Sequence, residues 1–230
     1  MRELHIQIPS FKTLNIIALT IIISLFVYGI IIVKSINEEA KAREIAGKFQ
    51  QFRYATLSFN NIYSGLPGDI SNATFYWREA TIDGNGNKKI DANTDEVVTA
   101  WQQLQLSKVI EFPYELTGKW DEKLGKNILI PAVNIPQIKT KTTGFFVKYS
   151  DEQKENIFGL ARLNKKTNNL DRAALTPKEA YNIDLMIDDG YPDKGSLIAI
   201  ATKDNGCFIA VAGEYKKESE IRECILQFKL

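Results

Sequence analysis

Residues 13–33 carry no charge: TLNIIALTIIISLFVYGIIIV runs from Lys12 to Lys34 without interruption. At the helical rise such a run is about 30 Å long, the thickness of a bilayer's hydrocarbon core. A helix apolar on every side has no polar face to turn to water, so it belongs in lipid or among other apolar helices. A cleavable secretory signal competes with this reading, but its apolar region is shorter, roughly 7–15 residues, and ends in a small-x-small site. Here Gly29 is followed by Ile30, Ile31, Ile32, Val33 and Lys34. A retained single span through a lipid bilayer is therefore expected.

The apolar pattern changes character after Lys34. Ile36, Ala40, Ile45, Ala46, Phe49, Phe52, Thr56, Phe59, Ile62 and Tyr63 recur at mostly helical steps, with Glu38, Lys41, Glu44, Lys48 and Arg53 between them. No proline occurs between Pro9 and Pro67, and Leu66, Pro67, Gly68 and Asp69 then break the pattern. One helix is expected over 13–63, lipid-suited in its first half and amphipathic in its second. A span followed by a separate helix, bent near Lys34 and Ser35, satisfies the same pattern.

The remainder reads as a mixed α+β globular domain. The spacing predicts a helix over 95–106 and a strand over 143–150. Thr176, Pro177 and Glu179 form a helix start with a capping box, and Gly190 closes that helix near Asp189. Residues 196–203 and 207–212 flank Asp204, Asn205 and Gly206, a hairpin signal, and 224–229 adds a last strand. The expected organisation is a leader-like cytoplasmic segment (1–12), a transmembrane helix (13–33), an amphipathic extension (34–64) and a globular domain (65–230).

Composition narrows the function. Lys and Arg number 29 against 28 Asp and Glu, which lacks the basic excess of a nucleic-acid binder. One His and two Cys leave little for zinc, haem or iron–sulfur chemistry. The nucleophile elbow, the phosphate loop, the dinucleotide glycine fingerprint and the HExxH motif do not occur, so no enzyme is expected. Asp83, Asn85, Asn87 and Asp91, with Asp95 or Glu96 closing the set, have calcium-loop spacing. Lys88 stands where an EF-hand needs Gly, and Thr94 where it needs a bidentate Glu. A solvated Asn/Gly turn whose side chains bond their own backbone fits the same residues. Asp184, Asp188 and Asp189 read as a solvated helix face or a docking contact rather than a catalytic pair. The three tryptophans read as core. Cys207 and Cys224 suit either a disulfide outside the cytosol or two reduced core thiols.

Several blocks together resemble the type IV pilin and pseudopilin superfamily, and within it a group of bacterial pilin-like proteins. Ser10 falls at the Gly of the processing motif, Phe11 matches its Phe, Asn15 occupies its acidic position, and Gly29 lies where many relatives carry Gly. Downstream, Tyr63 with Leu66, Pro67, Gly68 and Asp69 resembles the group's turn after the long helix. Asp83 to Asn87 with Ala100, Trp101, Gln102, Gln103 and Leu104 resembles its acidic-glycine loop and Trp-Gln-x-Leu helix. Leu175, Thr176, Pro177, Ala180, Tyr181, Asp188, Asp189 and Gly190 form a third block. The resemblance implies a long helix packed on a small antiparallel sheet and a C-terminal disulfide between Cys207 and Cys224. It implies processing between Ser10 and Phe11, and a looser pseudopilin-type calcium loop. It also implies a single-pass protein of the bacterial inner membrane with a periplasmic C-terminal domain. Its partners would be other pilin-like subunits or envelope components of a type IV pilus or type II secretion assembly. Ser10 and Asn15 fit a minor subunit better than a major one. Lys34, Lys41, Arg43 and Lys48 after the span would by the positive-inside rule hold the domain in the cytoplasm; the cysteines argue for the opposite side, and the periplasmic orientation is the expectation. A membrane-tethered periplasmic binding module is the alternative.

Overall fold

A computed structural model describes residues 11–92, 94–112, 119–138, 140–202 and 206–230. Ser10 lies outside them, as do Asp204 and Asn205 of the expected hairpin turn. The chain divides into two compact units, Met1–Lys41 and Ala42–Leu230.

The described residues of the first unit belong to α1 (Phe11–Tyr63), a helix that continues into the second unit. The described side chains of 15–33 are exposed on every side of it, among them Leu19, Leu25, Phe26, Tyr28 and Ile31. Phe11 opens the helix. Lys34 pairs with Glu38 one turn on, at 3.8 Å.

The second unit is built on the rest of α1. Ala42, Ile45, Ala46, Phe49, Phe52, Ala55, Thr56 and Phe59 are buried at steps of one or three residues, so they form one stripe. Ile36, Ala40 and Ile62 share the periodicity but stay exposed. After α1 come α2 (Ala73–Trp77), a short 3₁₀ turn (Arg78–Ala80), and α3 (Glu96–Leu106). A small ladder, β1 (Trp120–Asp121) with β2 (Lys126–Asn127), follows. The main sheet contains β3 (Thr143–Ser150), β4 (Glu155–Asn164), β5 (Asn169–Arg172), then, after α4 (Pro177–Ile187), β6 (Leu197–Ala201). β7 (Phe208–Ile209) and β8 (Glu214–Tyr215) make a separate hairpin, and β9 (Cys224–Lys229) returns to the main sheet.

The sheet is antiparallel in the order β3-β4-β9-β6, with β5 pairing the far end of β4. Alternation turns Phe145, Val147, Phe158, Leu160, Leu226 and Phe228 to the core that the α1 stripe fills. Phe52 sits at its centre, with ring centroids 4.8 Å from Trp101, 5.0 Å from Phe145 and 5.8 Å from Phe158. The α+β reading therefore holds: a long N-terminal helix packs on an antiparallel sheet. Trp101 is fully buried, Trp77 half-buried, and Trp120 is 58% exposed, so only the first is core in the full sense.

One local expectation needs correction. Residues 196–203 and 207–212 do not pair as a hairpin. β6 pairs with β9 from Leu197 opposite Phe228 to Ala201 opposite Cys224, and β7 pairs with β8. β9 carries Cys224, Leu226 and Phe228 on its core face and completes the sheet beside β6, so tertiary pairing overrides the local turn signal. The expected start of α4 is present in full: Thr176 Oγ1 accepts from Glu179 N at 3.2 Å and Glu179 Oε2 from Thr176 N at 2.9 Å. Gly190 follows the helix with φ +77°, a left-handed conformation that glycine adopts without steric cost.

Candidate functional site

Three features stand apart from ordinary packing. The first is the apolar part of α1. It is the one helix among the described residues long and apolar enough to cross a membrane, and none of its most apolar 18-residue window is buried. A soluble core helix of this composition would be covered; this one presents Ile, Leu, Val and Phe on all sides. A membrane span and a signal sequence both meet that description.

The second feature is the loop after α2. Asp69, buried at the turn after α1, accepts Asn87 N on Oδ1 at 3.0 Å and Lys88 N on Oδ2 at 2.8 Å. Glu96, buried at the start of α3, accepts Asn85 N at 3.2 Å and Asp91 N at 2.8 Å. Asp91 Oδ2 receives both amides, Asn85 Nδ2 at 2.8 Å and Asn87 Nδ2 at 3.0 Å. The backbone closes the knot: Gly84 N donates to Ile70 O and Gly86 N to Asp69 O. A Cβ at Gly84 would collide with the Asp69 backbone, so glycine is required for this close approach.

Of the residues expected to hold calcium, the structure brings Asn85, Asn87, Asp91 and Glu96 together. Asp83 is turned to α2, where its two oxygens accept Thr74 N at 2.8 Å and Thr74 Oγ1 at 3.0 Å. Asp69 takes a place in the cluster that the spacing of 83–96 did not indicate. Asn85 Oδ1 accepts Asn87 N and Asn87 Oδ1 accepts Lys89 N, the self-bonded turn that was the other reading. Lys88, at the EF-hand's glycine position, is itself left-handed with φ +67°. Burial raises the pKa of Asp69 and of Glu96, opposed by their backbone hydrogen bonds and reinforced by neighbouring carboxylates. Asp69, Asp91 and Glu96 accept hydrogen bonds within the loop, and among the described residues they are not a group whose oxygens lie close enough together to share a cation. As placed, Asp69 and Glu96 anchor the loop backbone.

The third feature is the acidic end of α4. The solvated-face reading fails for Asp184, which has 0% exposure. Tyr215 Oη donates to its Oδ2 at 2.6 Å and Gly190 N to its Oδ1 at 3.3 Å. Asp188 Oδ2 accepts Ser196 N and, at 3.0 Å, Leu197 N, fastening the helix end to the start of β6. Asp189 is exposed and accepts Tyr191 N at 2.9 Å. The three carboxylates approach within 4.8 Å of one another. Tyr215 was not foreseen as a partner: it lies 31 residues from Asp184, and only the β7–β8 hairpin brings it back.

Burial lifts Asp184 to about 6, from an ordinary value of 3.8, with the Tyr215 hydrogen bond opposing and Asp189 and Asp188 adding repulsion. Tyr215 is raised as well, by its own burial and by the carboxylate it faces. A carboxyl whose folded pKa lies above its unfolded one takes up its proton first in the folded state. Its charge therefore costs stability above pH 6, and the cost is relieved as pH falls from about 6 towards 4. Asp69 and Glu96 act with the same sign. Asp184→Asn is expected to remove on the order of 2–3 kcal/mol of the gain on acidification. Urea unfolding at pH 7.5 and pH 4.5, in wild type and variant, measures it.

Cys207 and Cys224, both fully buried, are joined in a disulfide with Cα atoms 5.0 Å apart. The bridge ties the β7–β8 hairpin to β9, whose Cys224 backbone also bonds Leu175 just before α4. No family model, no curated protein and no solved structure matches the chain.

Proposed function

We propose that this chain is a pilin- or pseudopilin-like, membrane-anchored structural and interaction subunit of a bacterial envelope filament or secretion assembly, and a minor one. One observation carries the reading. A single helix is apolar and uncovered along its first part and buries an amphipathic stripe in a disulfide-bonded α+β unit along its last. Such a helix is stored in lipid at no cost and leaves lipid only where other apolar helices replace it, because uncovered apolar surface costs about 25 cal/mol per Å² in water. Its work is packing. The disulfide supports a periplasmic position for the domain, since bridges persist in oxidising compartments. Ser10 and Asn15, at the two diagnostic places of the processing motif, favour a minor subunit.

A photo-crosslinking residue placed at Leu25 in cells tests this. The expected result is discrete adducts with chains that themselves carry an apolar N-terminal helix, copies of this one included. Adducts with lipid alone would overturn the assembly role. The binding-module alternative is favoured by the left-handed Lys88 in the calcium-type loop; it requires lipid adducts only, together with melting that EDTA lowers.

A further inference from the structure

Where α1 ends, the second unit exposes a row of aromatic rings. Phe75 is 80% exposed and Tyr76 is 43% exposed, an unusual expense for side chains of this size. They are held firmly. Phe59, fully buried, contacts Tyr63 at 4.6 Å and Trp77 at 6.0 Å between ring centroids. Tyr63 contacts Tyr76 at 4.9 Å, and Tyr76 contacts Phe75 at 5.3 Å. The exposed rings are thus the outer members of a stack rooted in the core, and ligand contact would cost them little ordering entropy.

Tyr63 also forms a wall of a cleft of about 730 Å³ between the end of α1 and the loop before α2. That volume lies in the range of small-molecule sites, about 300–1,000 Å³. Asn60, Ser64, Ser71 and Asn72 line it. Among the described residues, none of these four side chains has an internal hydrogen-bond partner, so two amides and two hydroxyls are available. Gly65 and Gly86 also line it; the side chain of Ile70 fills the space beside Gly65. Asp69, also in the wall, already accepts two backbone N–H groups, and the exposed Lys88 contributes one ammonium; the other polar side chains of the lining are uncharged amides and hydroxyls.

An aromatic ledge beside a cleft of amides and hydroxyls matches one ligand chemistry. A pyranose presents an apolar face of C–H bonds and an edge dense in hydroxyl groups, each able to donate and accept. A lipid would leave the amides unpaired, at the cost of a buried polar group without a partner. We infer that Tyr63, Phe75 and Tyr76, with the cleft of Asn60, Ser64, Ser71 and Asn72, form a binding site for a neutral oligosaccharide. The site lies wholly within the second unit and does not depend on the assembly role.

The test is saturation-transfer NMR on the full chain in a zwitterionic detergent without sugar headgroups. The probes are the neutral oligosaccharides cellohexaose, chitohexaose and maltohexaose. Saturable binding of at least one is expected. Phe75→Ala with Tyr76→Ala should weaken it about tenfold or more, and Asn72→Ala should also weaken it. Phe75→Ala alone, at the most exposed ring, supplies a variant whose fold is not in question, and it should weaken binding with unchanged melting. Asp184→Asn should leave the affinity as it is. No saturable binding by any of the three probes, or binding that survives loss of both rings, would overturn the assignment.

Discussion

Phe52→Ala is expected to destabilise the α+β unit by about 3–5 kcal/mol, the cost of removing a large aromatic side chain from a close-packed core. The position is exceptional because one side chain joins three elements. It is fully buried on α1 and its ring meets Trp101 of α3, Phe145 of β3 and Phe158 of β4. The cavity left behind would be walled by the ring side chains of a helix and a hydrogen-bonded sheet, which cannot collapse freely. Thermal melting should fall by roughly 6–20 °C at this chain size. Tyr54→Ala, at an exposed place on the same helix, should remain within about 0.5 kcal/mol of wild type. If both variants melted alike, the amphipathic half of α1 would not be holding the sheet.

Breaking the bridge is the second large effect. Cys207→Ser with Cys224→Ser is expected to cost about 3 kcal/mol, as for a closed loop of this length. The sequence separation is 17 residues. Cys224 opens β9, the strand between β4 and β6, and its backbone also bonds Leu175 before α4. Cys207 lies at the base of the β7–β8 hairpin, where its carbonyl accepts Lys216 N. That hairpin carries Tyr215 to Asp184, so its release also exposes the buried carboxyl. Loss of the bridge should therefore lower the melting temperature by roughly 6–12 °C and flatten the acid stabilisation that Asp184 provides. Denaturant unfolding followed at two pH values reads both changes.

What was legible in the sequence had a local cause. The uncharged run of 13–33 and the following stripe of Phe49, Phe52 and Phe59 have a periodicity that no neighbour needs to supply, and α1 forms as expected. Thr176, Pro177 and Glu179 satisfy one another within four residues, and their capping box is present. The strand Thr143–Ser150 is present over the expected residues. β4 was harder to see because Gly159 interrupts its apolar run; the ring of Phe146, on the neighbouring strand, lies over that glycine and fills the space a side chain would take. The hairpin expected at Asp204 to Gly206 failed because β6 and β9, far apart in the chain, bury a common face. The acidic loop was half legible. Asn85, Asn87, Asp91 and Glu96 converge, but Asp83 prefers the free N–H of Thr74, and Asp69 arrives from a turn separated from the loop by α2. Asp184 looked solvated since helical spacing cannot report Tyr215 above it. In each of these cases the missing information was a long-range partner.

The most direct test of the account is the thiol state and intact mass of the protein extracted from membranes, acid-trapped and alkylated under denaturing conditions before and after reduction. The account predicts no alkylation before reduction, two labels after it, and extraction only with detergent. A mass lacking residues 1–10 would add that the chain is processed ahead of Phe11. Two thiols that alkylate before reduction, on full-length protein, would mean an uncleaved chain with its domain in the cytosol, and would contradict the envelope-subunit reading.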